Sequence, residues 1–96
     1  MKQIIIVFEF KLINNQKTIQ FKDLIRRYGT YAFITNNSCM IWTIADVVSV
    51  RNFLMAGLAS DDKLFVSEVS APAAWSLSLA KEVSDYIIKN LKEKTL

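Results

Sequence analysis

Few side chains in this 96-residue chain could do chemistry, and most of those that could are carboxylates. The sequence has no histidine, which excludes Ser-His and Cys-His triads and most zinc sites. Its two glycines, Gly29 and Gly57, stand alone after predicted helices, so neither a phosphate-binding loop nor a dinucleotide fingerprint is present. Carboxylate chemistry remains, and Glu9, at the end of the first predicted strand, is its main candidate. The simpler interpretation is that Glu9 is a solvated charge paired with Lys11 or Lys63.

A basic helix face is the second candidate site. Lys22, Arg26 and Arg27 lie within six residues, and Lys22 and Arg26 are one helical turn apart. The net charge is +3, and before residue 49 six basic residues oppose three acidic ones. This face could bind the phosphates of a nucleic acid or a nucleotide ligand, or it could be only a solvated helix surface.

The other reactive side chains have structural alternatives. Glu68 could be a second metal ligand or could pair with a lysine. Trp42 and Trp75 could stack on bases, although a place in the core or an interface is the simpler interpretation. Cys39 has no basic neighbour in sequence and is expected to be a small buried apolar residue. As the only cysteine, it excludes an internal disulfide and fits a reducing cytoplasm.

The stretch Lys2–Leu12 is the element expected to position these residues. Its apolar run Ile4–Phe8 lacks glycine and proline and is too short for a buried helix, so it predicts a central strand covered on both faces. Alternation gives one wholly apolar face and a second face that begins apolar, with Ile5 and Val7, and ends charged, with Glu9.

The rest of the chain predicts helices and strands in a regular order. Helical spacing from about Thr18 ends at Gly29, where a left-handed stop is expected. Asn36–Ser38 should form the turn of a hairpin, and Asp46 should cap a second helix. The remaining predicted elements are hairpin strands over 31–35 and 39–44, a fourth strand over Lys63–Val69, a break at Ser70–Pro72, and a third helix over 73–91 with Leu79, Val83, Tyr86, Ile87 and Leu91 buried.

The order β-α-β-β-α-β-α predicts one ferredoxin-like α+β sandwich over residues 1–96, with a four-stranded antiparallel sheet backed by helices. In that fold one sheet face is expected to have no helix over it. Ile5 and Val7 point to that face, and the 52% hydrophobic content is high for so small a chain. The sequence therefore predicts a homodimer with Ile5 and Val7 in its interface.

Several short motifs resemble those of the SinR-family small proteins, which are similar to the small CRISPR-associated adaptation nuclease and to VapD toxins. The motifs cover nearly the whole chain, and each is short. They are Phe8-Glu9, Tyr28-Gly29, Met40-Ile41-Trp42-Thr43, Asp61-Asp62 before Leu64-Phe65-Val66, Glu68-Val69 and Ala73-Ala74-Trp75.

The resemblance implies a homodimer whose open sheet faces pack together. It also implies a metal-dependent nuclease site with an aspartate where this chain has Glu9. Glutamate can bind Mg²⁺, but its extra methylene displaces the carboxylate from the octahedral geometry that Mg²⁺ demands. We therefore expect a weakly active or non-catalytic protein, of phage or mobile-element origin, that binds a protein partner, a nucleotide ligand or nucleic acid. The alternative is an Mg²⁺-dependent endonuclease of RNA or DNA that uses Glu9 at the dimer interface.

No apolar run reaches the ~20 residues that a membrane span needs, and the N-terminal stretch does not read as a signal peptide. The sequence therefore predicts a cytoplasmic protein with no membrane partner.

Overall fold

A computed structural model describes residues 1–70 and 73–90 of the chain. They form an α+β sandwich with a four-stranded antiparallel sheet in the order β2-β3-β1-β4. The elements in chain order are β1 (Lys2–Glu9), α1 (Asn15–Arg26), β2 (Thr30–Thr35), β3 (Ser38–Thr43), α2 (Val47–Met55), β4 (Lys63–Val69) and α3 (Lys81–Asn90). This confirms the predicted ferredoxin-like architecture, in which β1 and β3 are the two central strands.

Strand β1 organises the sheet because both of its edges are paired. Ile6 lies opposite Cys39 of β3 on one side and Val66 of β4 on the other. A strand of β-branched and aromatic residues is suited to this position, where each face meets other side chains. The central place predicted for β1 is confirmed.

The first face of the sheet packs against α1 and α2 and holds the main core. Ile4, Ile6 and Phe8 of β1 are buried there together with Phe21 and Ile25 of α1. The sheet and both helices thus share a single apolar cluster. Other residues buried in this cluster are Cys39, Ile41, Val50 and Leu54.

Gly57 lets the end of α2 approach α1 closely. A Cβ atom at this position would lie 2.8 Å from Leu24 Cδ1 and 3.3 Å from Phe21 Cδ1. Only a residue without a side chain fits that gap unless both neighbours move.

The second face is partly covered by α3, so the prediction that no helix lies over it is wrong. Met40 and Ile87 are buried there, and Ile5 packs against them. The Gln3 side chain is buried on the same face, where its Nε2 donates a 2.9 Å hydrogen bond to the hydroxyl oxygen of Tyr86. The amphipathic third helix therefore buries its apolar stripe on the chain's own sheet.

The third helix is shorter than predicted. It begins at Lys81, whereas residues 73–80 form turns and irregular structure. In that segment the Ser76 and Ser78 hydroxyls bond each other at 2.8 Å, and serine side chains favour turns because they compete with helical hydrogen bonds. Of the predicted break at Ser70–Pro72, Ser70 directly follows the end of β4 at Val69. Ala71 and Pro72, like the predicted burial of Leu91, fall outside the described residues.

The other boundaries follow local signals. Asn14 caps α1 by accepting a hydrogen bond from the Lys17 amide, so this helix begins three residues before Thr18. Asp46 caps α2 through the Ser49 amide at 2.8 Å. Gly29 has a φ of +86°, which confirms the predicted left-handed stop.

Within the described ranges, none of the helices has the length and apolar character that crossing a bilayer requires.

Candidate functional site: a basic cleft beside an aromatic edge strand

A cleft of about 950 Å³ opens where β1 ends. Its walls are the β1–α1 loop, the first turns of α1, the β2–β3 turn and the start of β4. The turn is held to β1 by a 2.9 Å hydrogen bond from the Phe8 amide to the Asn37 carbonyl oxygen. The charged and polar lining residues are Glu9, Lys11, Asn15, Thr18, Lys22, Asn36, Asn37, Asp61 and Lys63.

Glu9 lies in this cleft and forms an ion pair. Its register partner on β4 is Lys63, and Lys63 Nζ lies 3.8 Å from Glu9 Oε1. Both side chains are largely exposed, so water screens the pair. In this chain Glu9 is therefore a solvated charge at the end of β1 that pairs with Lys63, as the simpler interpretation predicted.

Glu9 by itself would supply only part of the ligand set of a magnesium ion. Octahedral Mg²⁺ needs several oxygen ligands, of which one or two are commonly protein carboxylates. Among residues 1–70 and 73–90 there is no group of three or more Cys, Asp and Glu side chains placed to hold a metal. The catalytic and metal-binding roles predicted for Glu9 stay predictions.

Two neighbouring carboxylates fix the cleft wall. Asp61 Oδ2 lies 3.6 Å from Lys11 Nζ at the surface. The Asp62 side chain is only 1% exposed and pairs with Lys17 of α1. Asp62 also accepts hydrogen bonds from the Ala59 and Lys11 amides at 2.8 and 3.0 Å. These bonds, led by that from Lys17, lower the pKa of Asp62 to about 2. Asp62 thus ties the β1–α1 loop to the α2–β4 loop.

The basic face of α1 lies over aromatic side chains of the edge strand β2. Lys22 Nζ is 5.1 Å from the centre of the Phe33 ring, and the Arg26 guanidinium carbon is 5.3 Å from that ring. Arg26 also lies 6.0 Å from the ring centre of Tyr31. These distances are in the range of cation–π contacts. We call Lys22, Arg26, Tyr31 and Phe33 the cation–aromatic stripe.

Lys22 belongs to both the stripe and the cleft. Among the described residues it makes no ion pair, whereas Arg26 is bonded to Asp23 at 2.8 Å. The stripe and the cleft are therefore one continuous surface along α1, with Lys22 where they meet. It is weakly basic, because its four cations (Lys11, Lys22, Arg26 and Lys63) exceed its three carboxylates (Glu9, Asp23 and Asp61) by one.

Arg27 does not join this surface. It lines a separate depression of about 310 Å³ with Tyr28 and Phe53, on another side of α1. Of the three basic residues predicted to bind a ligand, the structure brings together Lys22 and Arg26 and leaves Arg27 apart.

Tyr31 and Phe33 were not predicted as site residues. Their alternation within β2 places both on the same sheet face as Cys39 and Ile41. They pack edge to face, with ring centres 5.7 Å apart. The aromatic alternation in 31–33 was the available signal, but the sequence does not show that α1 crosses β2 at this point.

The two predicted interface residues have different surroundings. Ile5 is half-buried against the cluster around Met40 and Ile87. Val7 is 41% exposed, and its register partner on β4, Phe65, is 62% exposed. Val7 and Phe65 thus form an exposed apolar pair at one end of the second face, and α3 does not cover that end.

The other candidates have structural roles. Cys39 is fully buried, and burial raises the pKa of its thiol to about 12. Trp75 packs against the second cluster, and its Nε1 donates a 2.9 Å hydrogen bond to Ser84 Oγ. Glu68 lies 3.9 Å from Lys2 Nζ, and Trp42 is half-buried in β3. These positions agree with the structural alternative stated for each residue.

Comparisons with models of known protein families and with curated proteins found no match. The resemblance to SinR-family proteins therefore stays a prediction. The function has to be argued from the cleft and the stripe themselves.

Proposed function

We propose that this protein binds nucleic acid through its phosphate backbone and does not cleave it. The observation that carries the proposal is the continuous basic surface along α1, which joins the cleft to the cation–aromatic stripe through Lys22. Lys11 and Lys63 extend it into the cleft, where their carboxylate partners are at 3.6 and 3.8 Å and largely solvated. A phosphate can compete with such exposed pairs because each is worth little in water.

Phosphate binding accounts for this surface better than a metal-dependent reaction does. Lysines give point-charge contacts to phosphate, and arginine adds a planar donor fork. Glu9, the only carboxylate proposed for catalysis, forms an ion pair with Lys63. The protein accordingly holds the backbone without providing a reacting group.

Titration of a labelled 12-nucleotide oligonucleotide at ~50 and ~200 mM salt tests the proposal. With about three phosphates neutralised, counterion release predicts a loss of affinity of roughly 10- to 20-fold over that range. Lys22→Glu with Arg26→Glu should abolish binding. Lys81→Glu with Lys89→Glu reverses the same number of charges on α3 and should leave binding unchanged. No binding at ~50 mM salt, or equal loss in both double variants, would refute the proposal.

The absence of cleavage has its own test. Incubation of RNA and DNA substrates with Mg²⁺ or Mn²⁺ should leave them intact. Robust cleavage that Glu9→Gln abolishes would instead establish the endonuclease alternative, with Glu9 as a catalytic residue.

We also propose that the protein is a homodimer that buries Val7 and Phe65. These residues face each other across β1 and β4 on the part of the second face that α3 leaves open. A second copy offers the same apolar pair, as a two-fold interface requires. Two subunits would also present two basic surfaces to one strand, which raises the overall affinity.

Light scattering at micromolar concentration should give the dimer mass, and Val7→Glu should give the monomer, because two like charges would meet near the axis. Ile88→Glu is a control on α3, at a residue that is also exposed. A monomeric wild-type protein would exclude this dimer. The SinR-like relationship and the cytoplasmic location are retained as parts of the proposal.

A further inference from the structure

We infer that the nucleic acid bound by this surface is single-stranded and that one of its bases stacks on Tyr31. This inference rests on the proposed function and specifies its ligand. Its basis is the juxtaposition of an exposed aromatic ring, a guanidinium group and Lys22 at the β2 edge of the sheet.

Tyr31 is placed where a base can reach it. It belongs to β2, the outermost strand of the sheet on that side, and it is 37% exposed. Phe33 supports it from one side in edge-to-face geometry. The Phe33 ring has two cations, Lys22 and Arg26, at 5.1 and 5.3 Å from its centre, whereas the Tyr31 ring has only Arg26, at 6.0 Å. Tyr31 is therefore the ring of the stripe that is open to a ligand.

Arg26 can contribute in two ways. Its guanidinium carbon lies 6.0 Å from the Tyr31 ring centre, so a base on Tyr31 would lie beside a planar cation as well as an aromatic ring. Its Nη1 is held by Asp23 at 2.8 Å, an exposed bond that orients the group and leaves its other donors for a phosphate. Bases of single strands stack on aromatic rings and on arginine planes in this manner, whereas bases within a duplex are not available.

The length of the surface sets the number of nucleotides. Thr18 lines the cleft and Arg26 ends the stripe, and these residues are about 12 Å apart along the axis of α1 at ~1.5 Å per residue. At about 3.4 Å per nucleotide of a stacked strand, that span accommodates roughly four nucleotides. The strand would run with its phosphates along α1, from Arg26 past Lys22 into the cleft.

Three labelled probes of equal length test this inference: oligo(dT), a duplex, and an oligonucleotide whose sites are all abasic. The abasic probe retains the phosphates and lacks the bases. Wild-type protein should bind oligo(dT) at least about fivefold more tightly than either other probe, since stacking of one base contributes that much or more. Affinity for oligo(dT) should stop rising steeply once the length exceeds about four nucleotides per subunit.

Tyr31→Ala should lower the affinity for oligo(dT) by about 5- to 100-fold and leave the affinity for the abasic probe unchanged. Tyr31→Phe retains the ring and should bind as the wild type does. Phe53→Ala is the matched control, because Phe53 is 38% exposed but lies on α2, outside the stripe. Thermal melts of each variant verify that the fold is intact.

The outcomes separate this inference from the proposed function. If none of the three probes binds, the proposed function itself is wrong. If all three bind equally and Tyr31→Ala has no effect on any of them, the protein binds phosphate backbone without stacking and the inference is refuted. A preference for the duplex would also refute it.

Discussion

The two faces of the sheet are packed to different degrees, although the same strands supply both. On the first face, nine apolar residues are no more than 2% exposed. On the second face, the buried apolar residues are Ala32, Met40 and Ile87, at 9%, 6% and 5%, together with the polar Gln3 at 3%. Strand β1 shows the contrast residue by residue, because Ile6 is fully buried and its neighbour Val7 is 41% exposed. Stability is therefore concentrated on the first face, and the second face retains apolar surface for a partner.

The difference arises from what covers each face. Helices α1 and α2 close the first face, together with Phe10, Ala45 and Leu58 from the loops beside them. A single helix of 10 residues, α3, crosses the second face and reaches the end near Gln3, Ile5 and Met40. The opposite end, at Val7 and Phe65, has no such cover among the described residues. Three predictions test whether the two faces differ in stability as they do in packing.

The largest expected effect is on the first face. Phe21→Ala should lower the free energy of unfolding by about 3–5 kcal/mol, because it empties a fully buried site that contacts Phe8 and Phe10. Urea denaturation measures the change in the monomeric Val7→Glu background, where Phe65→Ala is the control, since it removes the same ring from an exposed position. Equal destabilisation by the two changes would contradict the contrast between the faces.

A smaller effect is expected on the second face. Ile87→Ala should cost about 2 kcal/mol, at the low end for such a truncation, because α3 can settle into the space. Hydrogen exchange should show faster opening of the α3 amides while those of β1 and β3 stay protected. Uniform acceleration across all these elements would mean that α3 unfolds only with the rest of the protein.

The smallest effect appears only in acid and concerns the loop edge of the first face. The pKa of Asp62 is about 2, below its usual ~3.9, so its ionised form stabilises the fold above pH ~4. This stabilisation is lost as the pH falls through ~2, when the native carboxylate takes up a proton.

Urea midpoints measured from pH 5 to pH 2 should therefore fall less steeply for Asp62→Asn than for the wild type. Asp61→Asn is the control, since the neighbouring carboxylate forms only a surface pair with Lys11. If Asp61→Asn flattened the profile as much as Asp62→Asn does, the buried pair with Lys17 would not be the cause.

The sequence by itself determined the features that depend on neighbouring residues. The apolar run Ile4–Phe8 identified the central strand, and its alternation identified the two faces. Asn36-Asn37, Asp46 and Gly29 marked the hairpin, the α2 cap and the end of α1, because turns and caps are set by local hydrogen bonds and dihedral angles. The position of Lys22 and Arg26 on one face of α1 was likewise predictable, because residues four apart lie one turn apart on a helix.

Only the tertiary structure decided the features that join distant residues. Gln3 is hydrogen-bonded to Tyr86, which is 83 positions away in the sequence, and Lys17 is hydrogen-bonded to Asp62, which is 45 positions away. The placement of α3 on the second face and of α1 over Tyr31 and Phe33 depends on how packed elements cross each other. No local pattern encodes such crossings, because the apolar stripe of one helix could pack against several other apolar surfaces. Only close packing of the whole core selects one arrangement.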